Sequence, residues 1–327
     1  MSMVSGSEPH VIKSAAGCRS ADDLFSLIRE TSGELRNTLN QDGALLLRGF
    51  DVHRYEVFAQ VVSAIFEETD LLAYQGGTGH KTKFSDGVYS STIIPSRFEI
   101  SPHQEMSYLP QMPSCIAFYC RSPAKKGGRT PLVCGQQLHD RIPREIREQF
   151  EMKKIKYTRI YPAAGGPATR LLPNTIATWT QVFDTHDPRA VEAQCQAMGL
   201  DFEWMSNETL KTEVILPPIR VHPQRQQKIW CNQAHTFVPT PKYLGLPLYG
   251  VYRMLRAIPM LNQGRANFGD GSTIAYELID GIHETLRPLR FYIDWEPGDI
   301  LILDNLRILH GREPYEGNRE HYAAMVA

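Results

Sequence analysis

The chain has 327 residues, enough for one large domain or two of ordinary size. Its 35 lysine and arginine residues nearly balance 36 aspartate and glutamate residues, so a strongly basic nucleic-acid-binding surface is not expected. Hydrophobic residues make up 42% of the chain, which excludes a disordered protein, and because no apolar run reaches about 18 residues we expect no membrane-spanning helix.

The start of the chain, residues 1–15, has no apolar core behind a basic region, so we expect a flexible segment rather than a secretory signal. Six cysteines are scattered without the spacing of a metal site or a disulfide framework. This pattern is typical of reduced thiols and predicts a cytoplasmic protein.

A helix, a strand and a second helix are predicted next. Ser20 can cap the first helix and Gly43 can end it, and the apolar run 44–47 follows as a strand. The second helix has an apolar face made by Phe58, Val61, Val62, Ile65 and Phe66.

Short apolar runs separated by Pro and Gly then predict β structure. The predicted strands are 88–94, 115–120, 131–134, 213–221, 228–232, 289–293 and 300–303, with a last strand from Arg319 to Val326. Helical insertions are predicted near 165–213, where Asp187 and Gly199 bound one helix, and near 239–287. The fold class is therefore mainly β with flanking helices, an α+β arrangement.

Two clusters of residues can carry chemistry. His103 and Glu105 would share one face of an extended strand, because strand side chains alternate with a period of two. A second cluster near the C-terminus contains His310, which can reach the first pair only if a barrel of two facing sheets closes between them. Two histidines and one carboxylate with open coordination positions suit a non-haem Fe(II) oxygenase.

Three motifs in order resemble the TauD/TfdA family of Fe(II)- and 2-oxoglutarate-dependent dioxygenases, above all its clavaminate synthase and syringomycin-type hydroxylase branches. The motifs are His103-x-Glu105, the Gly-Gly-Arg-Thr-Pro-Leu segment at 127–132, and Asp304-Asn305 followed by His310-Gly311-Arg312 and Arg319. The resemblance covers about 44–327. It implies a double-stranded β-helix (jelly roll) core and one domain over residues 1–327.

The resemblance also implies roles for five residues. His103, Glu105 and His310 would bind Fe(II), Arg319 would bind the distal carboxylate of 2-oxoglutarate, Thr130 would assist it, and O2 would be the oxidant. Because the segment between His310 and Arg319 is shorter than in the clavaminate synthase branch, Arg312 stays an alternative. The family's halogenases replace the carboxylate ligand by a small residue, so the retained Glu105 favours hydroxylation.

The implied substrate is an amino acid or an amino-acid-derived molecule of a biosynthetic pathway, such as one that makes an antibiotic, either free or held on a carrier protein. Residues that would contact it are Tyr89, Ser91, Asn232 and His235. Epoxidation and desaturation remain alternatives on the same platform. A non-catalytic metal-binding jelly roll and a zinc hydrolase are alternatives of other classes, and a homo-oligomer is compatible with the sequence.

Each site residue also has an ordinary structural interpretation. His310 could be a core histidine bonded to Asp304, and Arg319 could pair with Glu316 or Glu320. The coincidence of all the motifs in the family order favours the functional interpretation.

Overall fold

The core of the fold is built from two sheets, which helices and smaller sheets cover, as a computed structural model of the chain shows. The structure describes residues 7–67, 71–73, 83–85, 87–90, 94–166, 169–170, 176–256 and 263–327.

The described strands are β1 (His10–Lys13), β2 (Ala44–Arg48), β3 (Lys83–Ser85), β4 (Val88–Ser90), β5 (Ile100–His103), β6 (Cys115–Ser122), β7 (Lys126–Gly127), β8 (Thr130–Cys134), β9 (Ile155–Tyr161), β10 (Asp201–Met205), β11 (Thr209–Leu216), β12 (Ile219–Val221), β13 (Lys228–Trp230), β14 (Gly264–Phe268), β15 (Phe291–Ile293), β16 (Ile300–Asp304), β17 (Ile308–Arg312), β18 (Tyr315–Glu316) and β19 (Glu320–Val326). The described helices are α1 (Ala21–Asp42), α2 (Tyr55–Ile65), α3 (Gly135–Arg141), α4 (Arg144–Lys153), α5 (Trp179–Val182), α6 (Pro188–Ala197), α7 (Ala234–Phe237), α8 (Pro241–Leu244), α9 (Leu246–Arg256) and α10 (Tyr276–Leu286).

The first predicted helix is confirmed together with both of its caps. The Ser20 hydroxyl accepts a hydrogen bond from the Asp23 N–H, and the Asp23 carboxylate accepts one from the Ser20 N–H, which makes a capping box. Gly43 ends α1 in the left-handed region with φ at 82°, where a residue without a side chain is favoured. The chain then enters β2 directly.

Two sheets form the jelly-roll core that the sequence analysis expected. The larger has seven strands in the order β1-β2-β16-β6-β19-β4-β3, and the smaller has four in the order β15-β8-β17-β5. Strand β16 is buried on both faces: Leu301 and Leu303 belong to the cluster that also holds residues of β8 and β17, whereas Ile300 and Ile302 pack with residues of α1 and α2. The larger sheet is therefore a central layer between the smaller sheet and the N-terminal helices.

The insertions differ from the prediction because they contain strands as well as helices. Strands β10, β11 and β14 join β9 in a four-stranded sheet of the order β10-β11-β9-β14. Strand β10 alternates exposed and half-buried residues and has no fully buried one, although three of its five residues are apolar. The predicted strand 213–221 is two strands, β11 and β12, which belong to different sheets.

The flexible start predicted for residues 1–15 is wrong for residues 10–13. These residues form β1, which pairs in parallel with β2 at the edge of the larger sheet. A strand whose partner supplies its stability leaves little local pattern in the sequence. Residues 1–6 lie outside the described part of the chain.

Of the helices in the described ranges, not one has the length and apolar character required to cross a lipid bilayer.

Candidate active site

Two neighbouring strands bring two of the predicted metal ligands side by side. Strands β5 and β17 are antiparallel neighbours, and the Cα atoms of His103 and His310 are paired in register. Their ring centroids lie 4.9 Å apart. The histidines, which the sequence analysis expected to meet only by tertiary closure, thus meet by direct pairing of two strands within one sheet.

Glu105 follows β5 in a turn that Asn305 holds in place. The Glu105 N–H donates to Asn305 Oδ1 over 2.8 Å, and Asn305 Nδ2 donates to the carbonyls of Glu105 and Pro113 over 3.0 and 2.9 Å. The expected extended His-x-Glu segment is not found, because β5 ends at His103 and Met106 adopts φ of 58°. The turn still directs Glu105 toward the two histidines.

His103, Glu105 and His310 each place one ligand atom within 4.8 Å of the others. The Nδ1 atom of His103 lies 2.9 Å from the carbonyl oxygen of Ser101, which assigns the proton to Nδ1 and leaves the Nε2 lone pair for a metal. The His310 Nε2 atom lies 4.0 Å from Glu105 Oε2. Two imidazoles and one carboxylate that converge in this way can hold a divalent metal and leave coordination positions open.

The alternative partner considered for His310 is engaged elsewhere. Asp304 Oδ2 lies 2.8 Å from the Nε2 atom of His222, and Asp304 Oδ1 accepts hydrogen bonds from the N–H groups of Leu306 and Arg307. Asp304 therefore shapes the turn before β17. The interpretation of His310 as a histidine bonded to Asp304 is wrong.

A small cavity of about 50 Å³, which we call the inner cavity, opens beside the three converging side chains. Its wall includes His103, Glu105, Thr130, Trp295, His310, Arg312, Arg319, His321 and Ala323. Residues 321 and 323 are two positions apart on β19, and residue 319 directly precedes that strand. Their side chains therefore share one face, which forms one side of the cavity.

Arg319 brings a buried positive charge to the inner cavity. Burial, and then the nearby charge of Arg312, lower its pKa to about 10. Its Nε atom has no acceptor among the described residues. Glu316 and Glu320, the acids with which Arg319 could have paired, instead bind Lys126 and Arg121.

Arg312 also borders the inner cavity, but part of its guanidinium is used by the backbone. Its Nη2 atom donates to the carbonyl oxygens of Pro95 and Phe98 over 3.1 and 3.0 Å. Its Nε atom, like that of Arg319, has no acceptor among the described residues. Arg312 therefore keeps fewer donors for a ligand in the cavity than Arg319 does.

Thr130 offers an oriented hydroxyl to the same cavity. The indole N–H of Trp295 donates to Thr130 Oγ1 over 3.0 Å. Because this bond uses a lone pair of the oxygen, the hydroxyl hydrogen is left to donate elsewhere.

A larger cavity of about 310 Å³, which we call the outer cavity, meets the inner one at His103 and Glu105. Its wall carries polar, charged and aromatic side chains that the sequence analysis did not identify, namely Glu99, Ser101, Tyr108, Arg159, Gln233, Thr236, Phe237 and Tyr243. A molecule bound there would reach the converging histidines and carboxylate.

Arg159 is the main functional candidate that sequence reasoning missed. Its guanidinium carbon lies 4.0 Å from the ring centroid of Tyr108 and 4.7 Å from that of Phe237, so two aromatic faces hold it. The sequence carried a signal for it. Residues of β9 alternate buried and half-buried, and Arg159 falls in the buried phase with Tyr157 and Tyr161.

The four predicted substrate residues lie in different places. His235 borders the outer cavity, and its Nε2 atom lies 2.8 Å from the carbonyl oxygen of Pro102. The Asn232 amide is buried against the backbone of Pro218 and Ala234. Tyr89 is a buried residue of β4 paired with Ala323, next to the inner cavity, and Ser91 lies outside the described residues.

Comparison with known proteins gives consistent results. The family model "Taurine catabolism dioxygenase TauD, TfdA family" matches residues 14–325. The dapdiamide synthesis protein DdaC of Enterobacter agglomerans is 32% identical over 99% of this chain and 93% of its own length. A clavaminate synthase-like protein of Arabidopsis thaliana is 28% identical over 89% of this chain and 83% of its own length.

Among solved structures, PvcB of Pseudomonas aeruginosa superposes with a TM-score of 0.51 at 13% identity, over 96% of this chain and 84% of that chain. PvcB is an Fe, α-ketoglutarate-dependent oxygenase from an isonitrile synthetic pathway. At this identity the likeness concerns the fold.

Proposed function

Since this chain belongs to the TauD/TfdA family and is an Fe(II)- and 2-oxoglutarate-dependent dioxygenase, we propose that it hydroxylates an unactivated C–H bond of an amino-acid-derived substrate. The convergence of His103, Glu105 and His310 at the meeting point of two cavities is the observation that carries the proposal. It supports a metal centre to which co-substrate and substrate come from two sides.

The three converging residues are proposed as the Fe(II) ligands. The donor set fits, because His103 is held in the tautomer that frees Nε2 and Glu105 is fixed by its backbone bonds to Asn305. With Fe(II), 2-oxoglutarate and O2 bound, the centre supplies an oxidant for a C–H bond while 2-oxoglutarate is converted to succinate and CO2. Glu105 would hold the metal with a carboxylate where a halogenase has a small residue, which favours hydroxylation over halogenation.

The inner cavity is proposed to hold the distal carboxylate of 2-oxoglutarate. Arg319 supplies a planar, charged pair of donors and Thr130 supplies a hydroxyl donor set by Trp295. A carboxylate would compensate the buried charge of Arg319, whose acidic neighbours are paired with other cations.

The outer cavity is proposed to hold the substrate. It combines opposite charges. The guanidinium of Arg159 suits a carboxylate. The Oε1 atom of Glu99 lies 2.7 Å from Arg290 Nη2, and the second carboxylate oxygen of Glu99 can accept a hydrogen bond from an ammonium group. Tyr108 and Phe237 provide apolar surface and keep water from the reacting C–H bond. This chemistry suits an amino acid, and the similarity to a protein of dapdiamide synthesis supports a role in biosynthesis. The six free cysteines suit the cytoplasm as the place of this role.

The test is a screen of the Fe(II)-loaded protein with 2-oxoglutarate and O2 against free amino acids and aminoacyl conjugates of a carrier protein. Mass spectrometry should find a product heavier by one oxygen, together with substrate-dependent succinate. Loss of two hydrogens would indicate desaturation, and oxygen gain at a double bond would indicate epoxidation. If no compound in either set stimulates succinate formation, the proposed substrate class is wrong.

A further inference from the structure

His321 lies in the wall of the inner cavity beside Arg319. The two residues are separated by one position on β19 and its approach, so their side chains leave the strand on the same face, as does that of Ala323. At this point β19 departs from regular pairing with β6, because Glu320 pairs with Ser122 while His321 pairs with Cys120. The extra residue, Arg121, belongs to β6, and bulges of this kind are frequent next to active sites.

The ring of His321 has no hydrogen-bond partner in the described part of the chain. The residue is only 4% exposed, and both Nδ1 and Nε2 are buried without a donor or acceptor. Its ring packs edge-on against Trp295, with centroids 4.7 Å apart and planes at 87°. Because buried polar atoms are normally paired, two unpaired nitrogens on a residue that lines a cavity point to a ligand there.

His321 is uncharged, so it can bind an anion together with Arg319 without adding a second positive charge. Burial, and then the charge of Arg319, hold the pKa of His321 well below its usual value, so the ring is neutral and bears one N–H. A neutral donor adds a hydrogen bond without a second buried positive charge. One carboxylate offers about four lone-pair sites, enough for a guanidinium, a hydroxyl and an imidazole together.

We propose that His321 donates a hydrogen bond to the distal carboxylate of 2-oxoglutarate, as a third group beside Arg319 and Thr130. The inference rests on the proposed position of 2-oxoglutarate in the inner cavity. His321 is then a binding residue for the co-substrate, and Trp295 supports it twice, by packing against its ring and by orienting Thr130.

The experiment compares two keto acids by calorimetric titration of the Fe(II)-loaded protein without O2. The first is 2-oxoglutarate, and the second is 2-oxovalerate, which has a methyl group in place of the distal carboxylate. His321→Phe should weaken 2-oxoglutarate binding about tenfold to a hundredfold, the usual worth of a hydrogen bond to a charged group, and should change 2-oxovalerate binding less than about twofold. His139→Phe, a matched change at a buried histidine of α3, should affect neither acid.

Equal losses for the two acids would mean that His321 only packs the cavity wall, and an unchanged affinity for 2-oxoglutarate would mean that it makes no contact. Either result overturns the inference. Should the phenylalanine variant not fold, His321→Gln and His321→Asn replace it, because the glutamine amide stands near the place of Nε2 and the asparagine amide near that of Nδ1. A loss of 2-oxoglutarate affinity in only one of the two variants supports the inference, and an unchanged affinity in both overturns it. If the wild-type protein itself fails to bind 2-oxoglutarate, the proposed position of the co-substrate fails as well.

Discussion

His103 and His310 are paired in register across two adjacent antiparallel strands, and their imidazole centroids lie 4.9 Å apart. Their separation is thus determined by the hydrogen-bond ladder of a sheet, the most rigid spacing that a β fold offers. Glu105 completes the group from a turn that a side-chain amide holds in place. The following variants examine how the proposed site depends on these supports.

Replacing Glu105 by alanine should remove Fe(II) binding and succinate formation together. The change removes the one carboxylate among the proposed ligands. We expect the affinity for Fe(II) to fall by more than about a hundredfold, which exceeds the loss typical of residues that only support a metal ligand. Metal content after anaerobic dialysis measures it. Glu148→Ala on the exposed side of α4 is the control. A Glu105→Ala protein with full metal content and turnover would contradict the assignment.

Asn305→Ala should weaken both the fold and the metal site. The amide makes three buried hydrogen bonds, two to Glu105 and one to Pro113, and their loss should lower the free energy of unfolding by about 2–4 kcal/mol. Fe(II) affinity should fall about tenfold to a hundredfold, because Glu105 is no longer held. Urea unfolding and metal titration measure the two effects. Asn305→Asp should not rescue them, since a carboxylate cannot donate to the two carbonyls.

Arg319→Gln and Arg312→Gln should separate the two arginines of the inner cavity. The first should weaken 2-oxoglutarate binding at least about thirtyfold, because the carboxylate loses its buried charged partner. The second should mainly lower the melting temperature, because Arg312 holds the carbonyls of Pro95 and Phe98. Calorimetric titration and thermal unfolding provide the measurements, and the reverse pattern would assign the carboxylate to Arg312.

Arg159→Gln should reduce kcat/KM for the substrate by about tenfold to a hundredfold and leave the KM for 2-oxoglutarate unchanged. Arg159 borders the outer cavity and not the inner cavity, where 2-oxoglutarate is proposed to bind. Arg159→Lys should recover only part of the lost kcat/KM, because an ammonium group does not reproduce the planar stacking on Tyr108 and Phe237. Arg189→Gln on the exposed face of α6 is the control. The idea fails if a substrate whose carboxylate is replaced by an amide shows the same loss in the variant.

His283 should make the fold sensitive to mild acid. Burial, and then the charge of Arg290, lower its pKa to about 4, whereas the unfolded chain binds the proton near pH 6.5. The folded pKa is depressed, so stability is lost as the pH falls from about 6.5 to about 4, by about 3 kcal/mol in all.

Urea unfolding of His283→Phe over this pH range should show a flatter dependence, and the exposed His186→Phe should keep the wild-type slope. A slope in His283→Phe identical to that of the wild type would show that other groups cause the acid sensitivity.

The motifs predicted much of the fold and of the inner cavity because they carry their chemistry in local spacing. Ser20 and Gly43 bound the first helix through caps that depend on neighbouring residues alone. The Asp304-Asn305 pair preceded His310 as in the family, and the structure adds that one residue shapes the turn while the other holds Glu105.

The outer cavity could not be predicted in the same way, since distant elements contribute each of its walls. Arg159 lies on β9, Tyr108 follows Glu105, and Phe237 ends a short helix. Only the fold brings their rings around one guanidinium. The pairing of β1 with β2 was missed for the same reason, because an edge strand depends on its partner more than on its own residues.

The amide of Asn305 connects the backbone of Glu105, the carboxylate residue of the proposed metal site, to the turn that leads into the strand of His310. Two of the three proposed ligands therefore belong to one cooperative unit. A fluctuation that opens this turn releases Glu105 and displaces His310 in a single event, so hydrogen exchange of the Glu105 amide should occur together with metal loss. The site would lose its iron in one step rather than ligand by ligand.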